Sequence, residues 1–218
     1  MKITKNLAVD RSEIFRYLGY RNIEPDENVK ALIEECIVEL EQVAVPREVH
    51  RRVSCTINDK SVILGELVVQ SESLAKHLSE CKEVLLFAAT IGTGVDRLLH
   101  RYGKLQVSKE VVMQAAAAAM IEKWCDMCQD EFSYNCSDKI FLKPRFSPGY
   151  GDFSLNFQKP LLGYLDAGKR IGLELTDSML MIPSKSVSAV IGISEDETGC
   201  SVHKCERCGN VCCAFRKK

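Results

Sequence analysis

The sequence predicts an α+β (mixed α/β) fold whose sheet is at least partly antiparallel. Segments in which apolar residues recur every three or four positions predict helices, and they are interleaved with shorter alternating or continuous apolar segments typical of strands. Their order shows no regular strand-helix-strand rhythm, which argues against a doubly wound parallel sheet. With 218 residues, 46% of them hydrophobic, the chain has enough apolar material for one core.

Two amphipathic helices are predicted near the N-terminus. Residues 11–20, RSEIFRYLGY, follow Asp10 as a candidate N-cap and end at Gly19. Residues 27–43, ENVKALIEECIVELEQV, carry apolar side chains at helical spacing and start near Asp26. Each helix therefore offers one apolar face to a core.

Strands are predicted next along the chain. Residues 50–57 and 61–70 alternate in the manner of strands, with a turn at residues 58–59 between them. A polar helix over residues 71–81 is followed by VLLFAAT at residues 84–90, which is typical of a buried strand. A turn containing glycine and a further helix are expected to follow it.

The longest predicted helix covers residues 108–132. Its alanine run, Ala115–Ala119, combines high helix propensity with small side chains and predicts very close packing against another element. Glu122 stands just past this run, at the edge of the packed surface. Cys125 and Cys128 share one face of the helix, where we expect them to pack as small hydrophobic residues rather than bind a metal.

The remaining regular elements lie after an irregular stretch, RFSPGYGDFSLNF, at residues 145–157. Residues 159–174 predict another helix with Pro160 in its first turn. Residues 175–194 predict two strands on either side of a break at residues 183–185.

Charge and hydropathy argue against several classes of partner. The formal net charge is -1, from 29 basic and 30 acidic side chains, so no overall field draws the chain to nucleic acid or to an anionic membrane. The N-terminal segment lacks the apolar run of a signal peptide, and no window approaches the roughly 18 uncharged apolar residues of a membrane span. We therefore expect a cytoplasmic protein that recognises its partners through a local site.

Several segments resemble, in the same order, those of one known family. Residues 145–150, RFSPGY, match an Arg-x-x-Pro-Gly-Tyr loop, and residues 175–194 contain a matching Ser-Val-Ser strand after an intervening helix. Residues 8–20, AVDRSEIFRYLGY, and the long helix before the loop also agree. Over residues 1–195 the chain resembles the S-adenosylmethionine-binding reactivation (activation) domain of cobalamin-dependent methionine synthase.

The resemblance implies a C-shaped domain with a twisted, largely antiparallel sheet and long helices, which binds S-adenosylmethionine. In that family an aspartate before the first helix, a glutamate of the long helix, and the arginine and tyrosine of the loop contact the ligand, and the proline and glycine shape the loop. By local match the corresponding residues are Asp10, Glu122, Arg145, Pro148, Gly149 and Tyr150.

These residue types suit the chemical groups of S-adenosylmethionine. The planar guanidinium of Arg145 can take the ligand carboxylate through two parallel hydrogen bonds. The carboxylates of Glu122 and Asp10 can bind the ammonium group or accept hydrogen bonds from the ribose hydroxyls. Tyr150 offers a ring face to the sulfonium or to the adenine, beside a turn in which the backbone approaches the ligand closely.

By the same resemblance, the function is reductive remethylation of inactive cob(II)alamin, with the methyl group from S-adenosylmethionine and the electron from a flavodoxin-like protein. The chain has no Asp-x-His-x-x-Gly cobalamin-binding motif and only four histidines. We therefore expect the cobalamin to be carried by a partner, a corrinoid-binding core methionine synthase, on which this chain docks as a stand-alone reactivation subunit. Whether the chain itself is an enzyme of this methyltransferase system is left open.

Residues 196–218 are expected to form a separate cysteine-rich C-terminal tail. Two cysteine thiolates separated by two residues can bind the same metal ion, so a zinc or iron-sulfur site is one interpretation. A reduced mobile tail and a redox-active tail are the alternatives, because nearby basic side chains favour the thiolate. The candidate metal ligands are Cys205, Cys208, Cys212 and Cys213.

Two other functions stay open at this point. If the tail is the functional part, the chain is a metal-binding interaction module that carries stoichiometric zinc or iron. The same fold could also serve a corrinoid methyltransferase other than methionine synthase.

Overall fold

The computed structural model describes residues 7, 9–20, 23–135 and 140–194, which form helices on both faces of a sheet. The helices are α1 (Arg11–Tyr17), α2 (Glu27–Val43), α3 (Glu72–His77), α4 (Thr93–Leu105), α5 (Val107–Asn135), α6 (Gln158–Tyr164) and α7 (Ala167–Ile171). The strands are β1 (Arg47–Asn58), β2 (Ser61–Leu64), β3 (Leu67–Gln70), β4 (Glu83–Thr90), β5 (Phe141–Leu142), β6 (Glu174–Leu175), β7 (Met181–Ile182) and β8 (Ser186–Ser194).

Six of these strands form one antiparallel sheet in the order β3-β2-β1-β4-β8-β5. Within it, Phe87 of β4 pairs with His50 of β1 on one side and with Ala189 of β8 on the other. β6 and β7 form a separate two-stranded antiparallel ribbon. The predicted α+β fold with an antiparallel sheet is therefore confirmed for the described part of the chain.

The sheet separates two hydrophobic clusters. The first lies under α1, α2, α4 and α5, and the second lies under α3, α6 and α7. Alternate residues of β4 enter different clusters, with Phe87 in the first and Leu86 in the second. Because β4 is covered on both faces, its sequence is a continuous apolar run rather than an alternating one.

α5 is the longest helix of the first cluster and packs against α2 and α4. Ala116 and Ala117 have exposed fractions of 0%, which confirms the close packing predicted from the alanine run. Cys125 and Cys128 are buried in the same cluster, as predicted, and burial raises the pKa of the Cys125 thiol. Neither α5 nor any other helix among the described residues is long and apolar enough to cross a membrane.

The strand predicted over residues 61–70 is two strands, β2 and β3, joined by a turn at Gly65. Gly65 has a φ of +60°, and a Cβ there would lie 3.3 Å from the Cβ of Val53. Leu64 pairs with Leu67 across this turn. The turn thus folds the predicted strand into a hairpin at the one residue that tolerates its backbone conformation.

The single helix predicted over residues 159–174 is also divided, into α6 and α7. The break falls at Asp166, whose φ of 55° places it in the left-handed region. Leu161 of α6 and Ile171 of α7 are both buried in the second cluster. Tertiary packing of two short helices therefore outweighs the continuous local propensity from which one helix was predicted.

The irregular stretch at residues 145–157 is held to both the sheet and α3. Phe146 forms an isolated antiparallel bridge with Val190 of β8. Phe153 is 1% exposed, and its ring stacks with that of Phe146 at a centroid distance of 6.1 Å. Asp152 accepts three hydrogen bonds at the N-terminus of α3. These anchors position the first half of the stretch beside α5.

Candidate functional site

A cavity of about 220 Å³ lies between α5, the stretch at residues 145–157, α6 and the beginning of β8. It brings together side chains from parts of the chain that are distant in sequence. Four of the six predicted site residues line it, namely Glu122, Arg145, Pro148 and Tyr150.

Arg145 is the cation of this cavity, and only 14% of its side chain is exposed. Its Nη2 donates to Glu122 Oε2 and to Asp126 Oδ1, each at 2.8 Å, and its Nη1 donates to Gln129 Oε1 at 2.5 Å. Burial alone would lower the pKa of the guanidinium, but interactions with Cys125, Glu122 and Asp126 outweigh it and raise the pKa. The side chain is therefore a fixed positive charge.

One face of α5 presents these three partners of Arg145. Glu122, Asp126 and Gln129 follow at helical spacings of four and three residues, which place side chains on the same face of a helix. Sequence reasoning identified Glu122 but missed Asp126 and Gln129 as partners of the arginine. The helical spacing from Glu122 was the signal that could have identified them.

The turn that follows Arg145 sets the position of the aromatic side chain. Gly149 has a φ of +97° and its N–H donates to Phe153 O at 2.7 Å, so the turn needs a residue without a Cβ. Gly149 itself is not among the lining residues. Tyr150 lines the cavity with about half of its surface exposed, and its ring meets that of Phe146 edge to face at 5.8 Å.

Asp10 does not line the cavity. It is the N-cap of α1, where Oδ1 accepts a hydrogen bond from Ser12 N at 2.9 Å. α1 nevertheless packs against α5 on the side of the site. Burial raises the pKa of Tyr17, at the other end of α1, and the Glu122 carboxylate raises it further. The structure therefore gives Asp10 a role in capping the helix, and its predicted contact with ligand stays a prediction.

The uncharged part of the cavity was not predicted from the sequence. Gln158, the first residue of α6, is 6% exposed, and Ser188 of β8 is 2% exposed. Among the described residues, Gln158 Oε1 and Ser188 Oγ have no hydrogen-bond partner. Ser186, by contrast, donates its hydroxyl to Pro183 O at 2.7 Å. The serines spaced by two in an otherwise apolar strand were a visible signal, whereas the burial of Gln158 depends on how α6 packs.

A larger groove, of about 640 Å³, lies between β1, α5 and α7. Its lining includes Arg47, Trp124 and Arg170 but none of the six predicted site residues. Size alone favours this groove. We place the candidate site in the smaller cavity because a largely buried cation, a carboxylate and two buried polar atoms that have no partner among the described residues converge there.

No group of three or more His, Cys, Asp or Glu side chains within the described ranges could hold a metal ion. The predicted ligands Cys205, Cys208, Cys212 and Cys213 lie outside the described residues. The prediction of zinc or an iron-sulfur cluster in the tail therefore stays a prediction, as does the division of the chain at residue 195.

Comparisons with known proteins identify the family. No curated protein matches the chain. A solved structure, the MetH reactivation domain bound to AdoHcy, matches with a TM-score of 0.67 and 16% sequence identity, over 89% of this chain and 76% of that chain. The family model for the activation domain of vitamin B12 dependent methionine synthase matches residues 65–209. This match covers more than half of the sequence, and the chain belongs to the family of vitamin B12 dependent methionine synthase activation domains.

Proposed function

We propose that this activation domain binds S-adenosylmethionine in the cavity beside α5 and presents its methyl group to reduced cobalamin held by a partner. The observation that carries the proposal is the convergence on one cavity of Glu122, predicted from the long helix, and of Arg145 and Tyr150, predicted from the loop motif. The similar domain whose structure contains AdoHcy supports the same class of ligand.

The charges of the cavity match those of the amino-acid end of this ligand. The Arg145 guanidinium is complementary to a carboxylate, and planar two-point pairing makes arginine suited to that role. The Glu122 carboxylate, about half exposed, is complementary to an ammonium group. Tyr150 adds an open aromatic side chain, whose ring face attracts a sulfonium cation.

Arg145 is held by the carboxylates of Glu122 and Asp126. A bound ligand would bring a third carboxylate to one guanidinium, and its ammonium group would offset the charge of Glu122. Asp126 then competes with the ligand for Arg145. The position of the cation is therefore preorganised, because Arg145 is largely buried and held by two ion pairs, but a ligand carboxylate has to compete with Asp126 for it.

The volume of the cavity suggests that only part of the ligand is enclosed. At about 220 Å³ the cavity is smaller than typical small-molecule sites of roughly 300–1,000 Å³. A half-exposed Tyr150 at the lining is consistent with an open mouth. An open site suits a methyl donor that must be reached by a bulky cofactor bound to another protein.

The chemistry is the transfer of the sulfonium methyl group in a direct displacement, with the carbon–sulfur electron pair leaving on sulfur to give S-adenosylhomocysteine. The nucleophile belongs to the corrinoid cofactor, so the residues of this chain orient the methyl donor and no general base is required. Because the sequence lacks an Asp-x-His-x-x-Gly motif, we place the cobalamin on a separate corrinoid-binding part of methionine synthase. We place the electron donor in a flavodoxin-like protein.

Titration calorimetry tests the binding step. The unmodified chain should bind S-adenosylmethionine, and Arg145→Ala should bind it about 10- to 150-fold more weakly, the equivalent of about 1.5–3 kcal/mol for a hydrogen bond to a charged group. Arg97→Ala removes an exposed arginine of α4 and serves as the matched control. No binding by the unmodified chain, or equal binding by Arg145→Ala, contradicts the proposal.

A second experiment tests the partner. The chain is mixed with a corrinoid-binding methionine synthase core that contains cob(II)alamin, a reductant and S-adenosylmethionine labelled in its methyl group. Label should appear on cobalamin only when the chain is present, and more slowly with Arg145→Ala than with the unmodified chain when S-adenosylmethionine is below saturation. Label transfer to a different corrinoid protein in place of this one would assign the chain to another corrinoid methyltransferase.

A further inference from the structure

We propose that Gln158, together with Ser188 of the same cavity, recognises the adenine base through the edge that carries the 6-amino group. This inference rests on the proposed function, because it assumes an adenosyl ligand in the cavity. It extends that function by assigning base specificity to residues that neither the loop motif nor the family match identifies.

Burial makes these two side chains unusual. Gln158 and Ser188 are 6% and 2% exposed, yet Gln158 Oε1 and Ser188 Oγ have no hydrogen-bond partner within the described part of the chain. Polar atoms buried away from water are almost always paired, because an unpaired one has lost water and gained nothing in return. Both residues line the candidate cavity. A ligand in that cavity would supply the missing partners.

The chemistry of the two side chains differs from that of the ionic end of the site. Glu122 and Arg145 carry full charges that suit the ammonium and carboxylate groups of a ligand. Gln158 and Ser188 are neutral dipoles, which suit a neutral heteroaromatic ring. They come from α6 and β8, whereas the charged pair comes from α5 and the adjacent loop.

A glutamine amide is matched to adenine in particular. It presents an acceptor and a donor side by side, and adenine presents the 6-amino donor next to the N7 acceptor. In such two-point pairing Oε1 accepts from the amino group, and Oε1 is the atom that has no partner among the described residues. The Ser188 hydroxyl can both donate and accept, so it is able to complete the polar environment of the base.

The test compares two ligands on three proteins by titration calorimetry. The ligands are S-adenosylhomocysteine and S-inosylhomocysteine, which differ in the 6-position of the base, where an oxo group replaces the amino donor. The proteins are the unmodified chain, Gln158→Met, which keeps the size of the side chain without its amide, and Gln158→Asn, which draws the amide back by one methylene group. Thermal denaturation of all three is measured in parallel.

We expect the unmodified chain to prefer the adenosyl ligand by about tenfold, within a range of about 5- to 150-fold for a two-point base contact. Both variants should lose most of this preference. Gln158→Met should keep or raise the denaturation midpoint, because it removes a buried amide whose Oε1 has no hydrogen-bond partner among the described residues.

The outcomes separate this inference from the proposed function. If the unmodified chain binds neither ligand, the proposed function fails, and this inference fails with it. If it binds the adenosyl ligand but either folded variant keeps the full preference, Gln158 does not read the base and only this inference is overturned. A lower denaturation midpoint in Gln158→Met together with equal weakening of both ligands would also overturn it, because that pattern indicates a purely structural role.

Discussion

Arg145 and Asp126 form an ion pair in which Nη2 lies 2.8 Å from Oδ1, the same distance that separates Nη2 from Glu122 Oε2. The two carboxylates are similarly exposed, at 48% and 47%, and stand one helical turn apart on α5. They differ in one respect, since Glu122 lines the cavity and Asp126 does not. α5 therefore carries two acidic side chains that pair with the same guanidinium, of which only Glu122 lines the cavity.

The first prediction uses this pair. Asp126→Asn should raise the affinity for S-adenosylmethionine about two- to fivefold, because it removes a charge that competes for Arg145 and because a half-exposed ion pair contributes only about 0.2–1 kcal/mol. Glu122→Gln should lower the affinity, because it removes the charge that faces the ligand ammonium. Titration calorimetry on the two variants measures both effects.

Opposite signs for the two variants support the assignment of roles within the cluster. Equal losses of affinity would contradict it and would mean that both carboxylates serve only to position Arg145.

Local signals account for the parts of the fold that the sequence predicted well. The amphipathic pattern and the capping residue Asp26 placed α2 at residues 27–43, the bounds seen in the structure. The continuous apolar run placed β4 correctly. The single helix predicted over residues 159–174 was wrong because Asp166 adopts a left-handed conformation that is set by packing of α6 and α7 on the second cluster. Such breaks are determined by tertiary contacts that no local pattern reports.

The same distinction holds for the candidate site. Arg145 and Tyr150 belong to a contiguous motif, and both line the cavity. The position of Asp126 beside Arg145 could have been predicted, because its spacing of four residues from Glu122 on a predicted helix puts both side chains on one face. That of Gln158 could not, because an isolated glutamine gives no sign that it will be 6% exposed until α6 is placed against β8.

The second prediction separates two roles of Asp10. Asn is as good an N-cap as Asp, so Asp10→Asn should leave the free energy of unfolding unchanged, whereas Asp10→Ala should lower it by about 0.5–2 kcal/mol. The role carried over from the family adds that Asp10→Asn weakens binding of S-adenosylmethionine although the fold is intact. Urea denaturation and calorimetry measure the two effects independently. Unchanged affinity in Asp10→Asn would remove this residue from the site and leave it a helix cap.

The third prediction concerns the aromatic side chain of the cavity. Tyr150→Ala should lower the affinity for S-adenosylmethionine by about 0.5–2 kcal/mol, the range for a cation against an aromatic ring face. Tyr150→Phe keeps the ring and should stay close to the unmodified affinity. S-adenosylhomocysteine lacks the sulfonium charge, so its binding should be less sensitive to Tyr150→Ala.

Tyr134→Ala is the control for this series, because Tyr134 is 90% exposed on α5 and does not line the cavity. If the two ligands respond equally to Tyr150→Ala, the ring contributes through contact area and not through attraction to the sulfonium.

The fourth prediction concerns Asp152, which connects the stretch at residues 145–157 to the N-terminus of α3. Its carboxylate accepts hydrogen bonds from Ser71 Oγ at 2.7 Å, Glu72 N at 2.7 Å and Ser73 N at 3.0 Å. The Ser71 hydroxyl, followed by these backbone N–H groups, holds the pKa of Asp152 well below its ordinary value of about 3.9. Asp152→Asn should therefore destabilise the protein at neutral pH, because the ionised acceptor is lost.

The pH dependence follows from the direction of this shift. A group whose pKa is lower in the folded state than in the unfolded state stabilises the fold above the unfolded value of about 3.9, and that stabilisation is lost as the pH falls through the folded value. The difference in urea midpoint between the unmodified chain and Asp152→Asn should thus be larger at pH 7 than at pH 3. Asp130→Asn, an exposed aspartate of α5, is the control. A difference that is the same at both pH values would show that the charge of Asp152 does not anchor the loop.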